Sequence, residues 1–316
     1  MSLLTVIQDA CNELSLPSPA MVIGNTDPQV QQLLALANLE GQTFLQLQGP
    51  WGGWPELNTT YTFNLVPVGP FTGDTVAGST DIINMSSVVG IVAGYGVAGA
   101  GVYQSAKVAS VLSSSSVRMT AVASSSNTQS SYNFGQVLYA LPGDIRSFIN
   151  ATYWDRNFRW PMLGPLSPVE WEVIVSGISP VGPRIRFRVV GNQMEIQPLP
   201  GPTQTDQIAY EYISNAFCTT SGGTPRTAVG GICKFAADTD LYRWPENTLR
   251  LGVKWRFLRA KGLDYTDELK QYNDARDFQL SVSGGSRSLR MNAVASGLHF
   301  LNYSNVPDTG YGGVTS

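Results

Sequence analysis

Between Pro245 and Val282 the chain carries two apolar stripes at helical spacing. Leu249, Val253, Phe257 and Ala260 form one, and Leu251, Trp255 and Leu258 form a second on nearly the opposite side, with Arg250, Lys254 and Lys261 between them. A helix striped on two sides must be covered from two directions. It is either the centre of a bundle or the seam between a bundle and a second body. Pro245 suits its first position and Glu246 its first turn. Gly262 suits the left-handed residue that ends it. Asp264 is placed to cap a second helix, along which Tyr265, Leu269 and Tyr272 make a narrower stripe.

The same periodicity recurs at the start of the chain. Leu3, Leu4, Ile7, Cys11 and Leu14 share one helical face over residues 2–15. Asp27 and Pro28 open a helix running to about Leu47, with Val30, Leu33, Leu34 and Ala37 on its apolar side. GPWGGWP ends it, and Trp51 and Trp54 read as packing anchors there. Period two then takes over. Tyr61, Phe63 and Leu65 alternate within a strand over 59–66, GQVLYALPGD reads as strand and turn, and INATYWD as another strand. Ser167, Pro168 and Glu170 give a cap, a first-turn proline and a capping-box acid for a short helix. RIRFRVV and QMEIQPL flank Gly191-Asn192 as a hairpin, with Ile185, Phe187 and Val189 on one face and Arg184, Arg186 and Arg188 on the other. QIAYEYIS adds a strand, and a long Gly/Thr-rich loop over 215–240 follows.

Between Phe71 and Ser131 the texture changes, and only Asp74, Asp81, Lys107 and Arg118 are charged. TDIINM, AKVASVL and VRMTAV read as short strands among Gly and Ser clusters, the pattern of a small inserted β-module. Gly94, Gly96 and Gly99 match a dinucleotide-binding spacing, but no Asp or Glu follows before Asp144, so the acid that would hold a ribose is missing. The uncharged run Ile82–Ala106 is long enough for a bilayer, but its Gly, Ser and Asn content and lack of flanking cations argue against a span. No basic region precedes an apolar core at the N-terminus, so no secretory signal is expected. After Gly284 periodicity is lost, and residues 285–316 read as an extended arm anchored by Leu289, Met291, Leu298, Phe300, Leu301 and Tyr303.

Charged residues are 14% of the chain, well below the usual quarter. That suits a β-rich structural protein partly covered by neighbours. A net charge of −3 argues against a dedicated nucleic-acid binder, though not against a wall that DNA slides past. Cys11, Cys218 and Cys233 make no disulfide framework and lack zinc-site spacing. Cys218 and Cys233 can pair across the loop, but free thiols are favoured in a reducing cytoplasm. The single histidine, His299, lies in the arm, away from any scaffold for a nucleophile. No phosphate-binding GxxxxGK[ST] occurs. The close carboxylates Glu170/Glu172 and Asp238/Asp240 read as solvated surface. No catalytic residue, cofactor or metal is therefore assigned. The arginine face of the hairpin has three readings: a solvated face, a site for a neighbour's carboxylates, or a contact with DNA phosphates.

WRFLRAKGLDYTDELKQYNDA resembles the C-terminal helices of head-to-tail adaptor proteins of short-tailed bacteriophages. LLTVIQDACNELSLPSPAMVIGNTDPQVQQLLALANLEGQ and LPGDIRSFINATYWDRNFRWPMLGPLSPVEWE resemble the N-terminus and middle of the same proteins, and STDIINMSS…GYGVAGAGVY…VASVLSSSSVRMTAV is similar to modules of phage structural proteins. The resemblance implies an α+β protein: a helical bundle (1–50 and 241–284), a mostly antiparallel β-domain (55–70 and 132–240) carrying the inserted β-module (71–131), and the arm (285–316). It further implies a ring, twelve-fold in that family, between portal and tail nozzle or tube proteins in the virion, assembled in the bacterial cytoplasm. Double-stranded DNA would pass through it without sequence specificity, and no membrane is involved. Leu251, Trp255 and Leu258, the three hairpin arginines, and Leu298, Phe300, Leu301 and Tyr303 are then the candidate interface residues. The alternative is a β-rich tail component that binds or degrades surface carbohydrate, with Trp51, Trp54, Trp154 and Trp160 as its aromatic platform.

Overall fold

Local caps set the helices where the apolar periodicity places them. In a computed structural model describing residues 2–47, 54–176, 184–226 and 232–284, Ser2 accepts from the Thr5 amide to open α1 (Leu3–Glu13). Asp27 accepts from the Gln29 amide to open α2 (Pro28–Gln46), with Pro28 in its first turn. Their buried faces hold Leu3, Val6, Ile7 and Cys11, and Val30, Leu33, Ala37 and Phe44. Trp54 is fully buried, stacks on Phe44 at 4.9 Å and donates to the Phe44 carbonyl, so it anchors the end of α2. Trp51 lies outside the described residues.

The fold is α+β, with antiparallel sheets. After β1 (Asn58–Asn64), six strands form a sheet of their own: β2 (Pro67–Thr75), β3 (Asp81–Ile83), β4 (Gly96–Gly99), β5 (Val108–Ser113), β6 (Ser116–Met119) and β7 (Asn127–Gly135), in the order β4-β7-β2-β3-β6-β5. Ile82, Val97, Val108, Val117, Met119, Tyr132 and Phe134 give this sheet a separate core. Its first and last strands in the chain, β2 and β7, pair with each other from Pro67 to Gly135, beyond the limits 71 and 131 expected from composition, and residues such as Phe71, Tyr132 and Phe134 belong to or pack on that core. The run Ile82–Ala106 is cut into short strands and turns, and no helix is long and apolar enough to cross a membrane among the described residues. Gly96 and Gly99 lie in an edge strand followed by turns. The helix that a dinucleotide site needs is therefore absent there.

The chain continues through β8 (Leu138–Ala140), β9 (Ile145–Phe148), β10 (Trp154–Asp155), β11 (Trp160–Pro161) and α3 (Pro168–Val175), then β12 (Arg186–Val190), β13 (Gln193–Gln197) and β14 (Gln207–Ser214). INATYWD contributes only its last two residues to a ladder. Ala151 takes a left-handed conformation at φ 64 and Thr152 donates back to the Ile149 carbonyl, which turns the chain where a strand was expected. The capping box of α3 is present, Ser167 and Glu170 each accepting from the other's amide. The Gly191-Asn192 hairpin forms with Val190 opposite Gln193 and extends through β8. β1-β14-β10-β11 and β9 make a five-stranded sheet. Its inner face and the hairpin enclose a second core of Ile185, Phe187, Met194, Ile196, Ile208, Tyr210 and Tyr212.

β15 (Cys218–Thr219) pairs with β16 (Leu241–Tyr242) and leads to α4 (Glu246–Lys261) and α5 (Thr266–Gly284). α4 packs against α1, α2 and α5. Its Leu249, Val253 and Phe257 enter the helical core, while Ala260 is exposed. Gly262 ends it at φ 73, and Asp264 accepts from the Thr266 amide at the next start. At the crossing of α4 and α2 a buried ion pair replaces apolar packing. Glu40, wholly buried, pairs with Arg256, whose guanidinium lies 4.7 Å over the Trp255 ring. Burial pulls that guanidinium below its ordinary value. A Cβ at Gly252 would come within 2.4 Å of the Glu40 carboxyl carbon, so the helices meet this closely only because the position is glycine.

Asp238, half-buried, and Asp240 are both engaged rather than free on the surface. Asp240 is wholly buried and accepts from Arg226 and from the amides of Ala236 and Ala237. The Asp238 carboxylate accepts from the amides of Val22 and Ile23 between α1 and α2. Residues 232–240 thus form a strap whose carboxylates satisfy backbone groups. The arm residues Leu289, Met291, Leu298, Phe300, Leu301 and Tyr303, with His299, lie outside the described residues.

Candidate interaction surface

The second stripe of α4 meets its cover within the chain. Leu251 is buried, Trp255 and Leu258 are half-buried, and the Trp255 ring packs 6.3 Å from Tyr265 and 6.0 Å from Tyr272 of α5. Of the hairpin arginines, Arg184 is exposed and Arg186 half-buried. Arg188 is engaged. It donates from Nε to Glu195 at 2.7 Å and lies 4.6 Å over the Trp171 ring. Of the three readings of the arginine face, the solvated one does not hold for Arg188, because Glu195 on the adjacent strand faces it directly. Glu195 also takes Lys107 of the six-stranded sheet at 2.5 Å. Leu251, Trp255 and Arg188 are thus engaged within the chain, and the third candidate group, Leu298, Phe300, Leu301 and Tyr303, lies outside the described residues.

Aromatic and basic side chains gather on the segment between β10 and β11. Asp155 pairs with Trp160 across the ladder, and its carboxylate accepts from the amides of Asn157 and Phe158 at 3.0 and 3.1 Å. This carboxylate-centred turn throws Arg156, Phe158 and Arg159 outward. Arg159 closes the turn in the left-handed region at φ 58. Phe158, 54% exposed, and Trp160, 38% exposed, stack on each other at 5.5 Å. Burial, and then the charge of nearby Asp206, push the Asp155 carboxyl above its ordinary value. Beside the turn lies an open hollow of about 460 Å³, lined by Thr60, Thr152, Trp154, Arg156, Arg159 and Glu211 among others.

Apolar side chains are also uncovered on two helices among the described residues. α3 presents Val169, 75% exposed, and Val173; α5 presents Phe278, 68% exposed, and Val282 one turn on. Large exposed side chains in groups, rather than singly, mark surfaces that meet something. The sequence signal for the turn was the interleaving of Arg156 and Arg159 with Phe158 and Trp160, a composition enriched at interfaces. It reads as an interface only once the turn shows that these side chains face solvent. Trp54, in contrast, is withdrawn from any platform by its burial. Among the described residues no group of His, Cys, Asp and Glu is arranged to hold a metal ion. No protein-family model matches the chain, and no curated protein matches it.

Proposed function

We propose that the chain is a structural subunit of a phage virion, a head-to-tail adaptor that forms a ring between portal and tail and gives DNA a channel. The observation that carries this reading is the set of uncovered apolar faces on three separate elements: Phe158 and Trp160 on the turn, Val169 and Val173 on α3, Phe278 and Val282 on α5. A heterologous ring requires unlike surfaces on one subunit, and such patches supply them. The segments resembling adaptor helices fall on α1, α2, α4 and α5, which fits a bundle built from both ends of the chain. In this reading the six-stranded sheet, with its own core, is a module inserted into the β-domain. Passing DNA meets a wall that makes no base-specific contact.

The hollow beside Trp154 favours a second reading, a tail component that holds carbohydrate against an aromatic ring with Arg156, Arg159 and Glu211 as polar partners. One experiment separates the two. The purified chain is sized by light scattering and imaged with and without portal protein, and glycan binding is measured on the same sample. A closed ring that appears with portal, and that Phe158→Ala/Trp160→Ala weakens without lowering the melting midpoint, supports the adaptor. A stable dimer indifferent to portal refutes it.

A further inference from the structure

Cys218, on β15, and Cys233, near the start of the 232–240 strap, meet in the helical core with their sulfurs 3.3 Å apart. Both are buried thiols. Cys218 is fixed by β15, which pairs with β16 through Cys218 opposite Tyr242. Cys233 follows the exposed Ile232 and precedes the buried Phe235, whose ring packs edge-on to Phe217 at 5.3 Å. Two side chains this close on separately anchored backbones need little movement to bond. We propose that Cys218 and Cys233 are a redox modification site, closing to a reversible disulfide by exchange with a low-molecular-weight disulfide such as oxidised glutathione.

The step balances as a two-electron exchange. The Cys233 thiolate attacks one sulfur of the small disulfide, its S–S bond breaks, and one small thiol leaves. The Cys218 sulfur, giving up its proton, then attacks the mixed disulfide at Cys233 and releases the second small thiol. The small disulfide is reduced by two electrons and the protein pair is oxidised by two. The order follows from the surroundings. The Cys233 thiolate is stabilised first by the Cys218 thiol as donor, then by the amides of Cys218 and Phe217 and the charge of Arg243, while burial works against it. Cys218, which lies deeper, is pushed up by its contact with Cys233 and then by burial. The charged groups facing the pair are Arg226, Asp240 and Arg243, and Asp240 already holds Arg226.

The bond would fasten the strap to the bundle. Residues 232–240 carry Asp238, which holds the Val22 and Ile23 amides, and the Asp240 carbonyl, which accepts from the Leu3 amide at 2.8 Å. Closing a loop whose ends are 15 residues apart restricts the unfolded chain. A strap free in a reducing cytoplasm and locked outside the cell rests on the virion reading. The bond itself does not.

The reduced, full-length protein is equilibrated in a glutathione redox buffer until its mass stops changing, unfolded in urea with N-ethylmaleimide, and analysed intact and as peptides. The expected result is one maleimide adduct, on Cys11, a loss of two hydrogens, and a Cys218–Cys233 peptide. The bridged form should melt roughly 5–10 °C above the reduced form. Cys218→Ser should trap glutathione on Cys233, separating entry from resolution. Three adducts at equilibrium, or a bridge involving Cys11, overturns the proposal whether or not rings form with portal.

Discussion

Lys107→Met tests whether the six-stranded sheet is a body of its own docked by a charge. Glu195, only 7% exposed at its side chain, joins two elements: Lys107 at 2.5 Å and Arg188 at 2.7 Å. Removing one partner of a buried pair costs about 3–5 kcal/mol when the charge left behind is stranded. Here it is not stranded, because Glu195 keeps Arg188. Lys107 is 29% exposed, so water already screens part of the attraction. Lys107→Met should therefore cost only about 1 kcal/mol, between the exposed and buried limits. Glu195→Gln removes both attractions and should cost about 2–3 kcal/mol.

The location of the loss is the sharper test. The seam holds little else that is polar: the Gln197 side-chain amide donates to the Gln104 carbonyl at 3.2 Å. Gly96 approaches Val137 and Leu199 there as well. The strands beyond it are filled by their own core. Hydrogen exchange followed by mass spectrometry should show faster exchange in Lys107→Met around residues 104–108 and 195–199, by roughly fivefold for about 1 kcal/mol. Protection of β2, β6 and β7 should stay unchanged. Equal acceleration across all six strands and across β14 would mean that the sheet and the rest of the chain open as one unit, and the docking argument would fail.

Four further outcomes are expected. Glu40→Leu should cost about 3–5 kcal/mol by stranding Arg256 in the bundle, whereas Glu40→Leu/Arg256→Met should come close to neutral, measured as urea midpoints in a double-mutant cycle; Gly252→Ala should also destabilise, its gain of about 1 kcal/mol in helix propensity being outweighed by contact with Glu40. For Asp155, a folded pKa raised above the unfolded value means that its stabilising contribution is present at low pH and lost as pH rises through the folded value. Asp155→Asn keeps an acceptor for the Asn157 and Phe158 amides, so it should be more stable than the parent at pH 7 and lose that advantage towards pH 4; a gap independent of pH would contradict this. Excising residues 67–135 and joining Val66 to Gln136 by a short Gly/Ser bridge should leave a cooperative melt, since the Gln136 amide already donates to the Val66 carbonyl at 2.9 Å; a cut at 72 and 130 should do worse, because it strands Phe71, Tyr132 and Phe134 of the sheet's core.

The legible parts of this fold were those where a local rule and the tertiary structure agree. Asp27–Pro28, Ser167–Glu170, Gly191-Asn192 and Gly262 each fix a boundary through their own hydrogen bonds or backbone angle, so the sequence suffices there. The misread parts depended on distant partners. Asp238 and Asp240 look like surface acids until the strap brings them to the amides of Val22, Ile23, Ala236 and Ala237. Arg188 looks solvated until Glu195 arrives across the hairpin. The strand expected over 149–155 failed because Ala151 and Thr152 form a turn that no Gly or Pro announces. The exposed stack of Phe158 on Trp160 was hidden for the opposite reason, since apolar residues in a short run read as core until a turn shows them outside.

That contrast bears on where assembly would occur. A helix with two apolar stripes invites the inference that one stripe awaits a neighbour. Trp255 shows otherwise: α5 folds back so that Tyr265 and Tyr272 receive it, and Arg256 caps it from the Glu40 side. A ring contact through that stripe would require α5 to leave, exposing Trp255 together with a buried ion pair, which is a large opposing term. The turn at 156–160 requires no such opening, because its aromatic rings and guanidiniums already face solvent. Asp155 holds the turn by two backbone hydrogen bonds, so little conformational entropy remains to be lost on contact. If the subunit builds a ring, substitutions on this preorganised turn should weaken assembly and spare folding, while substitutions at Trp255 should damage folding first.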